Sequence, residues 1–369
     1  MNGGVGPVLA SLGYGPFFDA QVTAEERGAF AVGRAVEDRG PRLLVRFEEG
    51  ERLVTIPGRL RDAGVAPVVG DFVLARVRAG TAGGEPPPHG ALADEPPLAR
   101  VLARRTRLSR GVAGRTSDEQ VLAANVDVVF VVQGLDAGVG ARRIERTLAA
   151  VHAGGAEPVV VLAKVDLEED PEGALEAAAR AAPGAQVLAV SAATGEGLDA
   201  IRALLAPGRT AVFVGPSGAG KSTLLNALAG EALQETAEVR ARDARGRHTT
   251  TGRRLVLLPG AGALIDGPGI RELKLWDGEG LDVVFEDVAA AAEGCRFRDC
   301  SHEDEPGCAV RAAVEAGALD PARLASLKKL EAELRSAEAR RGGAAAQAEK
   351  QRWRAIAREI RRFYRDRRR

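Results

Sequence analysis

The sequence predicts a multidomain α/β chain: a small all-β barrel, a mostly parallel sheet with helices on both faces, and a helical C-terminal region with a metal site. Three observations carry this expectation. Residues 29–105 hold five short strand-like runs separated by turn residues, the spacing of a small barrel. From about residue 125, continuous apolar runs alternate with helix-like segments, the pattern of a parallel sheet buried from both sides. All three Cys lie between 295 and 308, and an odd number in so short a window suits a metal site better than a disulfide framework.

Composition narrows the class. With 369 residues, 45% hydrophobic and 28% charged, the chain can bury a core over two or three domains, which excludes disorder along its whole length. The 51 Lys and Arg cancel 51 Asp and Glu, so any surface for a polyanion must be local. No apolar run approaches the roughly 18 residues of a membrane span. Residues 1–20 lack the basic start and apolar block of a secretory signal, so a cytoplasmic protein with no membrane partner is expected.

Residues 1–28 read as an N-terminal extension. The barrel, 29–106, would use strands 29–36, 42–47, 52–56, 71–77 and 99–102, with the Gly/Pro-rich stretch 79–97 as a mobile loop. The central domain, 107–280, would use strands 127–132, 158–163, 186–190 and 210–214, with helices 141–154, 171–182, 197–205 and 221–228. Two more strands, 254–258 and 263–265, follow. The third unit, 281–339, would begin with one helix over 281–292, pass the Cys cluster, and resume as helix 321–339. A linker, 340–350, leads to a tail, 351–369, in which nine Arg face Glu359 and Asp366, a net charge of +7. Trp353, Ile356, Ile360 and Tyr364 fall on one face of that helix.

Strand 210–214 runs directly into Gly215, Pro216, Ser217, Gly218, Ala219, Gly220, Lys221 and Ser222, a full G-x-x-x-x-G-K-[ST], with Thr223 opening a helix. Glycines let backbone N–H groups approach phosphate oxygens inside a tight turn, and the helix N-terminus adds partial positive charge. Lys221 would reach the terminal phosphates and Ser222 would hold magnesium. An ABC-type ATPase shares this loop, but the chain has no L-S-G-G-Q and no apolar strand ending in Asp-Glu.

Strand 263–265 ends in Asp266-Gly-Pro-Gly269, the D-x-x-G switch element of GTPases, which puts a carboxylate and a glycine N–H at the γ-phosphate. Upstream, Ala163-Lys164-Val165-Asp166 resembles the N-K-x-D guanine motif, whose Asp accepts from guanine's ring N–H and amino group. Ser191-Ala192 matches the S-A element that backs the base. Ordinary GTPases begin with the phosphate loop; here the base motifs come first, so the elements are circularly permuted. A parallel sheet tolerates that, because nearby termini can be rejoined without changing strand neighbours. It also makes the switch segment run straight into the Cys-bearing unit.

Cys295, Cys300, His302 and Cys308 supply three thiolates and one imidazole, the donor set of a closed structural zinc site. The barrel, the permuted elements, residues 107–127, the Gly246-Arg-His248-Thr-Thr-Thr251 segment and the Cys/His cluster together resemble the ribosome small-subunit-dependent GTPase A family over roughly residues 5–335. That resemblance implies an N-terminal OB-fold, a circularly permuted P-loop GTPase, a C-terminal zinc domain, and a role in late maturation of the bacterial small ribosomal subunit and contact with its ribosomal RNA. Ala163 departs from it, standing where the family usually has Asn or a similar polar residue. The lost hydrogen bond is worth on the order of 0.5–1.5 kcal/mol, so GTP should bind more weakly, with guanine preference kept by Asp166.

Ile270 follows the D-x-x-G, where many GTPases carry a water-orienting Gln, so intrinsic hydrolysis should be slow. His248 could orient water once a partner orders its loop, and Thr249 or Thr250 would ligate magnesium, with Thr250 taken into the catalytic set beside His248 and Lys221. Among RNA surfaces, the basic tail is the stronger phosphate-backbone binder, whereas Phe30, Phe47 and Phe72 read as barrel core. The expectation is therefore a monomeric GTP phosphohydrolase that binds GTP and GDP, uses magnesium and one zinc, and is stimulated by the small subunit. The alternative is an RNA-binding assembly scaffold that nucleotide locks without much hydrolysis.

Overall fold

The computed structural model describes residues 6–62, 66–76, 95–111, 119–230, 252–267, 270, 273 and 278–341. Three short helices open it: α1 (Pro7–Ser11), α2 (Pro16–Asp19) and α3 (Ala24–Ala29). Proline starts the first two, and a reciprocal Thr23/Glu26 capping box starts the third. The segment expected as an extension thus carries its own apolar side chains, with Leu12, Tyr14 and Phe18 buried. Phe18 lies 4.3 Å, ring centre to ring centre, from Phe72 on the barrel.

The barrel follows as β1 (Ala31–Arg39), β2 (Arg42–Phe47), β3 (Gly50–Thr55), a helical turn α4 (Gly58–Asp62), β4 (Phe72–Ala75) and β5 (Leu98–Val101). β1 pairs antiparallel with both β2 and β4, β2 with β3, and β4 with β5, while a parallel bridge between Thr55 and Pro97 draws the two ends together. Phe47 fills the interior with Leu43, Val45, Val54, Val73 and Leu98. Phe72 does not: it faces outward, under α1 and α2. The strand expected from residue 29 begins at Ala31 because α3 runs through Ala29. Most of the 79–97 loop lies outside the described residues, although Glu95 is bound by Arg42 at 2.7 Å.

A hairpin unforeseen in the sequence, β6 (Arg107–Gly111) with β7 (Glu119–Ala124), bridges to the central domain. Arg107 is largely buried despite its charge, and its backbone N–H donates to Gly154 O at 3.0 Å. The central domain comprises β8 (Val128–Gly134), α5 (Ala141–Ala153), β9 (Glu157–Ala163), α6 (Pro171–Ala181), β10 (Gln186–Val190), α7 (Leu198–Leu204), β11 (Thr210–Val214), α8 (Lys221–Ala229), β12 (Arg254–Leu257) and β13 (Ala263–Asp266). Strands β10, β9, β8, β11 and β13 lie side by side and parallel, and β12 adds antiparallel to β13. Every residue of β8 is buried, as expected for a central parallel strand. A single register pair, Glu37 with Arg254, joins β12 to β1, so the barrel and the parallel sheet share one hydrogen-bonded network.

The C-terminal unit contains α9 (Leu281–Val284), α10 (Glu286–Ala292), α11 (Ala309–Glu315) and α12 (Pro321–Arg341). The expected single helix over 281–292 is broken at Phe285, whose non-helical backbone (φ −110°, ψ 38°) turns its ring into the core. Buried Arg323 on α12 stacks on that ring and bonds Asp287 through two nitrogens at 2.8 and 3.0 Å. Its third nitrogen reaches buried Glu145 on α5 at 2.8 Å, and Ser326 also bonds Glu145. Gly280 has no room for a side chain: a Cβ would stand 1.9 Å from Ala149 O on α5. These contacts fasten the unit to the central domain along α5. The tail beyond residue 341 lies outside the described residues.

Candidate nucleotide site and metal centre

The phosphate-loop residues fold as their composition demands. At Gly215 the chain turns with φ 147° so close to β8 that a Cβ would stand 2.2 Å from Val132 O. Gly218 (φ 83°) and Gly220 (φ 94°) complete the turn in the left-handed region, where side chains are disfavoured. Gly220 caps α8, which begins at Lys221 and is anchored by Leu224, Leu225 and Leu228. Ser217, Gly218 and Thr223 are exposed, while Ala219 is buried beneath the loop. Lys221 Nζ donates to Gly215 O at 2.7 Å and to Pro216 O.

Because β11 and β13 are neighbours, with Val212 opposite Ile265, the loop and the switch Asp meet. Lys221, Ser222, Asp266 and Gly267 line one narrow cleft together with Phe213, Leu225, Ile265 and Ile270. A cation, a hydroxyl and a carboxylate in one cleft are the groups that a phosphate and a hard divalent ion require. Ile270 is buried in the cleft wall, where it can neither donate to nor accept from a water molecule. Gly269, His248, Thr249 and Thr250 lie outside the described residues.

The base motifs stand on the same carboxyl edge of the sheet, in the crevice where open α/β sheets bind ligands. Ala163 ends β9 and is buried, its Cβ 3.6 Å from where a Cβ on Gly220 would stand, so this segment presents a methyl group toward the phosphate loop. Lys164 adopts a left-handed backbone (φ 64°, ψ 38°), Val165 is buried, and Asp166 is exposed at the rim. Ser191 is buried at the end of β10, where its Oγ accepts from Thr194 N at 3.2 Å and its carbonyl from Gly195 N at 2.9 Å. Half-buried Ala192 follows it. Sequence reasoning missed Asp136, in the turn after β8, whose Oδ2 accepts from Lys164 Nζ at 2.6 Å. Nothing local marks it: 28 residues separate the pair.

The other cluster sits between α10 and α11. The donor atoms of Cys295, Cys300, His302 and Cys308 all lie within 4.8 Å of one another. Cys295 and Cys308 sulfurs are 4.0 Å apart, and His302 Nδ1 is 3.7 and 3.5 Å from them. A tetrahedral ion with roughly 2.3 Å bonds to sulfur sets donor separations of about 3.8 Å, so the donors fit such an ion. His302 has a left-handed backbone (φ 58°), and Cys308 also caps α11, its Sγ accepting from Arg311 N at 3.4 Å. Half-buried Glu305 braces the loop: hydrogen bonds from the Ser301 hydroxyl and N–H hold the pKa of its carboxyl down to about 2.

The profile of the RsgA GTPase family matches residues 101–276. A protein of Opitutus terrae named small ribosomal subunit biogenesis GTPase RsgA is 43% identical over 358 residues, covering 94% of this chain and 95% of the relative. The chain belongs to the RsgA GTPase family. A protein of Methanosarcina acetivorans with the same name is 42% identical over 84% of this chain and 80% of its own. Among solved structures, YjeQ from Thermotoga maritima superposes with a TM-score of 0.60 at 26% identity, covering 83% of this chain and 98% of that one. YloQ, described as a circularly permuted GTPase, shares the fold with a TM-score of 0.57 at 24% identity. The permuted order read from the motifs thus stands in a fold that this chain shares with YloQ.

Proposed function

We propose that the chain binds the small ribosomal subunit, assists its late maturation, and hydrolyses GTP there, slowly when alone and faster on the subunit. The observation that carries this reading is the carboxyl edge of the sheet. Ser191, Asp166, the 215–222 loop and Asp266 follow one another there, with Lys221, Ser222 and Asp266 in a single cleft.

In this reading Asp166 accepts guanine's ring N–H and amino group, and Ser191 with Ala192 backs the base. Lys164 and Val165 complete that loop beside Ala163. The backbone of Gly215, Pro216, Ser217, Gly218, Ala219 and Gly220, with the start of α8 through Thr223, cradles the phosphates. Lys221 places its charge on the terminal phosphates. Magnesium, held by Ser222 and by Thr249 or Thr250, neutralises the developing phosphate charge when bound. Asp266 and the Gly269 N–H complete the γ-phosphate side. With Ile270 in the cleft wall, the position after the D-x-x-G offers no water-orienting side chain, and His248 takes that task once the subunit orders its loop. Ribosomal RNA is the partner surface, with the basic tail contributing salt-sensitive contacts.

The test is phosphate release from GTP, with ATP as control, with and without small subunits. GTP-specific stimulation by the subunit is expected, and His248→Ala should remove it while leaving nucleotide affinity unchanged. Flat turnover, with equal subunit binding under GDP and a non-hydrolysable GTP analogue, would instead support the scaffold reading.

Cys295, Cys300, His302 and Cys308 would hold one structural zinc. Its removal takes away the common anchor of the loop and of the α11 cap, so local order should fail before the central domain does. Chelation under denaturing release should yield one zinc per chain. Chelator-treated native protein should become cleavable within 293–320 while nucleotide affinity stays within about twofold. Retained protease resistance after complete zinc loss would contradict this role.

A further inference from the structure

The geometry points to Asp136 as a positioning residue for guanine recognition, acting through Lys164. This inference rests on the proposed guanine site and assigns that site's geometry to a residue outside its motifs. At Ala163 a buried methyl group, with no polar atom to offer, faces the phosphate loop near Gly220. The approach of the two segments here is apolar and carries no direction.

The turn after β8 supplies the missing direction. Gly134 lies opposite Ala163 in the β8/β9 register, so Asp136 and Lys164 emerge from the same end of adjacent strands. A Cβ on Gly134 would stand 2.6 Å from Asp136 Oδ1 and 3.3 Å from Ala219 Cα, so glycine lets the turn fold back between its own carboxylate and the phosphate loop. The other carboxylate oxygen takes the Lys164 ammonium at 2.6 Å. Asp136 is therefore tied to the base-recognition segment through Lys164, on a turn whose Gly134 lies close against the phosphate loop at Ala219.

One feature separates this pair from an ordinary surface ion pair. Lys164 sits in a left-handed conformation that costs a non-glycine residue energy, and such strain persists where neighbours over-determine it. The pair is too exposed to add much stability, with side chains 29% and 46% accessible, so its consequence is orientation. Asp166 lies two residues beyond Lys164, on the same short turn. Fixing the lysine fixes where that carboxylate meets the base. Releasing it leaves the phosphate machinery of Lys221, Ser222 and Asp266 in place.

The experiment uses the full-length protein and a fluorescent GDP analogue. Asp136→Ala should raise Kd by about tenfold, mainly through faster dissociation, and Asp136→Glu should recover most of the loss. Single-turnover hydrolysis at saturating GTP should stay within about twofold of the parent, because the reacting phosphate is not touched. Lys164→Ala and the double variant should show the same weakened affinity, since removing either partner breaks one link. Kd within twofold of the parent for Asp136→Ala, or additive losses in the double variant, would overturn the inference while leaving the guanine site standing. Equal GDP and ADP affinity in the parent protein would overturn the guanine site itself, and the inference with it.

Discussion

Lys221→Ala should abolish GTP turnover while leaving the fold intact. The side chain is the one cation among the described residues lining the cleft between the phosphate loop and Asp266. In the proposed mechanism its charge leaves the Gly215 and Pro216 carbonyls for the oxygens on which negative charge gathers as the γ-phosphoryl group transfers, so its absence should be felt more strongly in the transition state than in the bound ground state. Removing one such donor costs on the order of 10²–10³ in kcat, and leaving a phosphate charge unpaired costs about 2–5 kcal/mol in affinity. The structure loses little: half-buried Lys221 opens α8 and gives up bonds to Gly215 O and Pro216 O, but the helix is held by Leu224, Leu225 and Leu228. The measurement pairs steady-state phosphate release, with and without small subunits, with a thermal melt. Stimulated turnover should disappear at an unchanged melting temperature; persistence of stimulated turnover above a tenth of the parent's would remove Lys221 from the proposed mechanism.

The parts of this site legible in the sequence are those whose chemistry forces residues to be contiguous. A phosphate must be wrapped by one loop, so Gly215 to Ser222 appear as an unbroken word, and the left-handed φ at Gly218 and Gly220 shows why the letters are glycine. The metal donors likewise fall within 14 residues, because one loop and the start of α11 carry them all. The strands of the parallel sheet were legible for a different reason: burial on both faces leaves their central runs, 128–132 in β8 and 158–163 in β9, wholly apolar. What stayed hidden depends on pairs distant in sequence. The β6/β7 hairpin has a mixed composition because it is only partly covered. The break at Phe285 needs Arg323, 38 residues later, to receive its ring. Asp136 has meaning only beside Lys164.

Arg34 is the extreme case of such hidden structure, and Arg34→Met should be the most destabilising single change. The residue reads in sequence as one more arginine on a strand, yet it is 1% exposed. Its Nε donates to Gly70 O at 3.1 Å, Nη1 to Leu12 O and to Thr210 Oγ1 at 2.7 Å, and Nη2 to Asn125 O at 3.0 Å. Those acceptors belong to the N-terminal helices, the barrel, and the central domain. The guanidinium also lies over the Phe72 ring at 5.0 Å. Burial pushes its pKa down to about 10, against the opposing pull of Asp127 and Asp71, so it remains charged at neutral pH.

Two effects compete on substitution. Methionine relieves the desolvation of a buried cation, but it strands acceptors that the protein cannot hydrate. Gly70 O keeps a bond from Asn125 Nδ2 at 3.0 Å, and the Thr210 hydroxyl can turn, whereas the Leu12 and Asn125 carbonyls lose the bonds that Arg34 supplied. Each stranded carbonyl costs about 1–3 kcal/mol, and breaking a buried charged network costs about 3–5 kcal/mol in total, so the loss wins. At roughly 2–4 °C per kcal/mol for a domain of this size, the melting temperature should fall by about 10 °C. The signature should be regional as well: protease cleavage should rise first near residues 12–13, where α1 leaves the barrel, with the 215–222 loop still able to bind nucleotide. A melting temperature within 2 °C of the parent would show that desolvation relief offsets the stranded carbonyls, and that the three segments are held together by apolar packing around Phe72 alone.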